Sequence, residues 1–97
     1  MPPDARKLAD LSGIGKAMLG DFALLQIRSV DDLASADPDR LFNDLCKLTN
    51  SRQDPCVLDV FRCAVAQARN PRLPKEQCDW WYWSRLRKAG QSKAGKP

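Results

Sequence analysis

Apolar residues recur at helical spacing along every long segment of the chain, and no run alternates apolar and polar residues for long enough to predict a strand. Start and stop signals divide this pattern. A first helix is expected from Asp4 to Asp10, with Asp4 as N-cap and Ala5, Leu8 and Ala9 facing inward. Ser12-Gly13-Ile14-Gly15 breaks it, and a second helix restarts at Lys16 and runs to about Leu25, carrying Ala17, Leu19, Phe22 and Leu25. Ser29 caps a brief third helix that ends near Ala36, with Asp31 and Asp32 in its first turn. Asp37-Pro38 opens a fourth, to about Thr49, with Leu41, Phe42, Leu45 and Leu48 on one face. Asp54-Pro55 opens the fifth and longest, the expected spine, in which Val57, Phe61, Ala64 and Ala68 share a face with Leu58 and Val65 beside it. Asn70-Pro71 and Leu73-Pro74 end that helix and force an extended connector. Trp80-Trp81-Tyr82-Trp83 would expose a large apolar surface if left undocked, so a last helix is expected from about Gln77 to Lys88. The expected fold is all-α: a compact domain of five or six helices over residues 1–90, with 91–97 as a flexible tail.

Composition narrows the function. At 97 residues the chain has room for one core, which excludes a two-domain enzyme. It contains no histidine, and that removes the commonest general base, the Ser-His and Cys-His nucleophile systems and the His-containing zinc sites. Cys46, Cys56, Cys63 and Cys78 form no C-x-x-C pair and read as core thiols. A four-thiolate zinc site is the alternative, but Cys56 and Cys63 fall about 10 Å apart along a helix axis. No stretch is long and apolar enough for a membrane span, and Met1-Pro2-Pro3-Asp4 lacks the regions of a signal peptide, so a cytoplasmic location is expected. The formal net charge of +4 is unevenly placed: eight Lys/Arg against ten Asp/Glu up to Ala66, eight against two from Gln67 onward. The basic C-terminal third suits an anionic partner, nucleic acid first and an acidic protein surface second. The plainer reading is a solvated basic end.

The most informative segment is Leu11-Ser12-Gly13-Ile14-Gly15-Lys16-Ala17 between two short amphipathic stretches. The first amides of the second helix lack intrahelical partners, the glycines admit close approach of another molecule's oxygen atoms, and Lys16 adds a mobile positive charge. Such a helix start suits a phosphate. Ile14 is expected to point into the core, and the small Ala17 to let the flanking helices pack closely.

At these residues the chain resembles the helix-hairpin-helix motif of DNA polymerases, ligases and repair proteins. The resemblance implies tandem helix-hairpin-helix units of the SAM-like kind, the second degenerate because Ala36-Asp37-Pro38 replaces the glycine turn. It implies that Gly13, Gly15, Lys16 and Ala17 contact DNA phosphate without reading bases, and that the carbonyls of Ala9, Leu11 and Ile14 would hold a monovalent cation. Leu11 to Ala17, with Asp54-Pro55-Cys56-Val57-Leu58-Asp59-Val60-Phe61-Arg62 and Trp80-Trp81-Tyr82-Trp83-Ser84, is similar to the small bacterial pathogenicity-locus proteins over about residues 8 to 88. Some of these carry a mitomycin-resistance label. That likeness implies a helical fold with the hairpin at its start and adds little mechanism.

Two further constellations have two readings each. The rings of Trp80 to Trp83 either seal the bundle or stack on an unpaired base or partner surface beside Arg85, with Trp81 the ring expected to stay exposed. Arg85, Arg87 and Lys88, with Arg69, Arg72 and Lys75, would extend a basic track if the last helix lies near the hairpin. Asp31-Asp32 and Asp37-Asp39 read as caps and helix-dipole partners rather than metal ligands. The expected function is sequence-nonspecific DNA binding through phosphates, without catalysis or cofactor, in an accessory or repair role. The alternatives are a protein-interaction module, a homodimer included, that uses the Trp80–Trp83 surface without nucleic acid, and an abasic-site lyase using Lys16 or Lys47.

Overall fold

Three helices of this chain begin where a side chain satisfies their free amides. The computed structural model describes residues 6–94, and the side chains of residues 6–90. Among these residues the fold is all-helical: α1 (Lys16–Leu24), α2 (Val30–Ala34), α3 (Pro38–Leu48), α4 (Pro55–Arg69) and α5 (Trp80–Ala94), with 3-10 turns at Leu8–Asp10 and Lys75–Cys78. Ser29 Oγ accepts the Asp32 N–H (3.0 Å) at the start of α2, Asp37 the Asp39 N–H (3.0 Å) at α3, and Asp54 the Cys56 N–H (2.8 Å) at α4. The caps and the proline at the first helical position act as expected in α3 and α4.

The two ends differ from expectation. In place of a helix over Asp4–Asp10 there is a single 3-10 turn, because the Asp10 carboxylate accepts the Lys7 N–H (2.8 Å) and fixes the start beside Leu8. Asp4 and Ala5 lie outside the described residues. At the other end Lys75–Cys78 form the second 3-10 turn and Asp79 is extended, so α5 begins at Trp80 rather than Gln77. It continues to Ala94, four residues into the segment expected as a tail, and residues 95–97 lie outside the described residues. The connector leaves α4 through an extended Asn70, as expected before a proline, and then turns, with Leu73 N–H donating to the Asn70 carbonyl (3.1 Å) and Arg72 N–H to Asn70 Oδ1 (3.0 Å).

Helix α4 is the spine. One side of it, Phe61, Ala64, Val65 and Ala68, joins Leu11, Ile14, Phe22, Val30, Leu33, Leu41 and Leu45 in a single apolar core, where Phe22 and Phe61 stack with centroids 5.6 Å apart. Two arginines close helix C-termini onto this spine. Arg6 donates to the Gln67 and Ala68 carbonyls of α4 (2.9 and 3.2 Å), and Arg69 to the Ala34 and Ala36 carbonyls at the end of α2 (both 2.9 Å). The Arg62–Asp39 pair between α4 and α3 is solvated and contributes little.

A second, polar side of α4 holds α5. Asp59, fully buried, receives Arg87 through Nε (2.9 and 3.1 Å) and a terminal nitrogen (3.1 Å). One turn later in α4, the Cys63 thiol donates to the Gln77 carbonyl (3.6 Å), which also accepts the Trp83 indole N–H (2.8 Å). Asp59 with Arg87 and Cys63 with Trp83 run in opposite directions, so α5 lies antiparallel on α4. The expected place of Arg87 in a basic track is therefore corrected: its guanidinium is turned inward onto Asp59, and only 12% of the side chain is exposed. Arg87→Ala would leave a buried carboxylate without its partner and should cost about 3–5 kcal/mol in urea unfolding. The exposed Arg85→Ala should cost less than about 0.5 kcal/mol.

Candidate functional site

The turn between the first 3-10 segment and α1 is held from outside rather than by itself. Gln67, on the polar side of α4 and 5% exposed, accepts the Ser12 N–H at Oε1 (2.9 Å) and donates from Nε2 to the Ser12 carbonyl (3.0 Å), holding the two peptide groups that flank Ser12. The same Nε2 donates to Cys63 Sγ (3.4 Å). Leu11 and Ile14 anchor the turn in the core, as expected of Ile14, and Gly13 adopts φ +82°, a left-handed conformation that favours glycine.

This leaves a row of unused amides. Ile14 N–H closes the turn on the Leu11 carbonyl (3.4 Å), and the first bond into α1 is Leu19 N–H to the Gly15 carbonyl (3.0 Å). Among the described residues, the amides of Gly13, Gly15, Lys16 and Ala17 therefore have no acceptor, and all four residues are exposed. Unlike α2, α3 and α4, α1 has no side-chain cap, and unlike α2 and α3 it has no acid in its first turn. Gly15 is extended (φ −100°, ψ −170°), a conformation open to any residue, and a methyl group there would meet no atom within 4 Å. The fold itself does not need a glycine at 15, which leaves room for something outside the protein. Ala17 is exposed rather than wedged between helices, so the close-packing role expected for it is replaced by a place on the open rim.

The acids beside the turn are partly engaged. The Asp10 carboxylate is occupied by the Lys7 amide (2.8 Å), and partial burial raises the Asp21 carboxyl above its ordinary range. The carbonyls of Ala9 and Ile14 accept no hydrogen bond among the described residues, since Gln67 takes the Ser12 N–H away from Ala9.

Of the remaining candidates, Trp81 is 51% exposed, as expected, while Trp80, Tyr82 and Trp83 are half-buried. Arg85 and Lys88 are exposed, and Arg87 is engaged as described. Arg69 is spent on the α2 carbonyls, whereas Arg72 and Lys75 are exposed on the connector. Of the four thiols, all free, only Cys63 is buried, and burial pushes it up to about 11. Among the described residues, no three His, Cys, Asp or Glu side chains are grouped to hold a metal ion, and no helix is long and apolar enough to cross a membrane. Gln67 was not a candidate in the sequence: a glutamine on a long helix reads as solvent-facing until Ser12, 55 residues away, is brought against it.

Fold and turn together define a small all-helical protein that presents a glycine turn clamped by its spine helix, with an aromatic, basic helix packed on the same spine. The chain belongs to the pathogenicity-locus family (Cdd1), whose model matches residues 3–89. It is 31% identical over 85 residues to the mitomycin resistance protein McrB of Streptomyces lavendulae, covering 88% of this chain and 77% of that one. No solved structure matches.

Two outcomes check this geometry. By NMR hydrogen exchange the Ser12 amide should be protected while those of Gly13, Gly15, Lys16 and Ala17 exchange fast. Gln67→Ala should release Ser12 and cost about 1–3 kcal/mol of stability. In native protein near pH 8 a thiol-labelling reagent read by mass spectrometry should modify Cys46, Cys56 and Cys78 before Cys63, whose raised pKa and burial keep its thiolate scarce.

Proposed function

We propose that this protein is a sequence-nonspecific DNA-binding module that grips the phosphate backbone through a helix-hairpin-helix turn at Gly13-Ile14-Gly15-Lys16-Ala17, working beside another protein or in repair. The observation that carries the reading is the row of outward amides without internal acceptors at the start of α1. The oxygens of a phosphate accept N–H groups from Gly13, Gly15, Lys16 and Ala17, the positive end of the α1 dipole favours their charge, and Lys16 Nζ closes over the group. Such contacts carry no base information, so binding is nonspecific. In this reading α2, the Ala36-Asp37-Pro38 turn and α3 form the second, degenerate unit, whose start is filled by the Asp37 cap and so offers no comparable phosphate site. The carbonyl oxygens of Ala9, Leu11 and Ile14 keep free lone pairs, a hard-donor set that fits a monovalent cation. A cation held there would add positive charge at the phosphate. The proposed role is binding without chemistry or cofactor, and resistance to mitomycin, in the relative's name, forms no part of it.

The exposed Trp81 favours a second reading, a protein-interaction module using the Trp80–Trp83 surface, in which Lys16 is irrelevant. Titration with a short duplex separates the two. Under the first, log affinity falls with log salt with a slope of about −2 to −4, as for a few phosphate contacts. Lys16→Glu and Gly15→Ala weaken binding while the protein stays folded by circular dichroism. Equal affinity for wild type and Lys16→Glu, or binding indifferent to salt, would overturn it.

A further inference from the structure

The side of α5 turned away from α4 forms a second surface. Ser84 is buried and Arg87 is turned inward, with Trp80 and Trp83 half-buried on the same side. At i, i+4 and i+7 on the other side, Trp81, Arg85 and Lys88 make one exposed stripe. The Trp81 ring is braced edge-on by Trp80, with centroids 6.0 Å apart and planes at 78°, so it stands out of the surface with its neighbour fixed behind it. Arg85 and Lys88 have no partner among the described residues, and α5 contains no acid. An aromatic ring followed at one-turn intervals by unpaired cations complements a chain of negative charges carrying flat rings. That is the chemistry of a single nucleic-acid strand: bases stack on the ring while phosphates meet the cations. The groove of about 320 Å³ between α1 and α3, beside the exposed Leu24 and Leu48, has no such complement, since Asp44 and Lys47 at its edge offset each other.

The stripe begins at the hairpin's end of the molecule. Because α5 runs antiparallel to α4, its first turn lies toward the Gln67 end of the spine, the end that holds Ser12, while Lys88 lies toward Asp59, about 12 Å along the axis. Arg72 and Lys75 sit on the connector that leaves α4 at that same end.

We propose that Trp81, Arg85 and Lys88 bind an unpaired DNA strand, so that the protein prefers duplex bearing a single-stranded tail over blunt duplex. The hairpin holds duplex phosphates, in a step that rests on the function proposed above, and Trp81 stacks on a base of the adjoining tail. Three probes test it by fluorescence anisotropy: a blunt duplex, the same duplex with an oligo-dT tail, and oligo-dT alone. The tailed duplex should bind about five- to 150-fold tighter than the blunt one, the worth of one base stacked on an aromatic ring. Trp81→Ala should abolish that advantage and leave blunt-duplex affinity unchanged, while Trp81→Phe keeps most of it. Lys16→Glu should weaken both duplexes by the same factor and preserve their ratio. Equal affinity of wild type for tailed and blunt duplex, or a ratio untouched by Trp81→Ala, overturns the stripe while leaving the hairpin reading standing. Binding of oligo-dT through Trp81 with no affinity for blunt duplex sinks the hairpin reading and keeps the single-strand site. A dimer in sedimentation equilibrium that Trp81→Ala converts to monomer, with the DNA ratio unmoved, assigns the face to a second copy and overturns the proposal.

Discussion

Asp59, Cys63 and Gln67 lie at i, i+4 and i+8 on α4 and are all buried, so the spine helix carries a polar seam along one side of an otherwise apolar interior. Each group has given up water and is satisfied only by a residue far away in sequence: Arg87 for the carboxylate, the Gln77 carbonyl for the thiol, the Ser12 peptide for the carboxamide. Apolar contact alone is indifferent to small sliding of one helix on another. A buried carboxylate is not, because moving Arg87 by one turn leaves a charge unpaired in the interior, a penalty of several kcal/mol. The seam thus fixes both the depth at which α5 docks and the position of the glycine turn. Through Gln67, which touches both Ser12 and Cys63, it makes the two a single construction.

What could be read from the chain is what local chemistry determines. Ser29, Asp37 and Asp54 cap their own helices through atoms two or three residues away, and the apolar face of α4 follows from spacing within one helix, so both were legible. The glycine turn was legible for the same reason. The seam was not, because Asp59 and Gln67 look solvent-facing beside apolar neighbours and become interior only when residues 12 and 87 arrive. Arg87 was grouped with Arg85 and Lys88 on charge. Its phase told otherwise: Trp80, Trp83, Ser84 and Arg87 follow the i, i+3, i+4, i+7 pattern of an inner face, and an arginine on an inner face calls for a buried acid. The segment before the glycine turn is a 3-10 turn rather than the expected helix because Asp10 binds an amide behind it in the chain, an interaction that competes with a helix propensity pointing forward.

The start of α1 is open for a reason that the other helices make plain. A helix with Ser or Asp at its N-cap satisfies its own amides and lowers its energy, at the cost of closing the site to any other anion. Gly15 supplies no such side chain, and the conformation it adopts does not require a glycine. The stability forgone is offset elsewhere, in the Gln67 clamp, which rigidifies the turn without occupying the amides that face outward. Rigidity without self-satisfaction is the condition under which backbone amides bind a ligand with little reorganisation.

Net charge misleads about where an anion would be drawn, since it counts charges already engaged. Of the ten acids up to Ala66, Asp10, Asp32, Asp37 and Asp54 face backbone amides, and Asp39 and Asp59 face arginines. Among the cations, Arg6 and Arg69 are spent on helix carbonyls, Arg62 and Arg87 on carboxylates. The positive side chains left exposed and unengaged include Lys16 at the glycine turn, Arg72 and Lys75 on the connector, and Arg85 and Lys88 on α5. Of the engaged acids, Asp39 and Asp59 act on an approaching polyanion as dipoles with their arginines, whose influence falls off faster with distance, whereas the acids bound to backbone amides keep their charge. An anion at the glycine turn would therefore be drawn by Lys16 and the exposed amides of α1 locally, and by Arg72, Lys75, Arg85 and Lys88 only where it also ran past the connector toward α5.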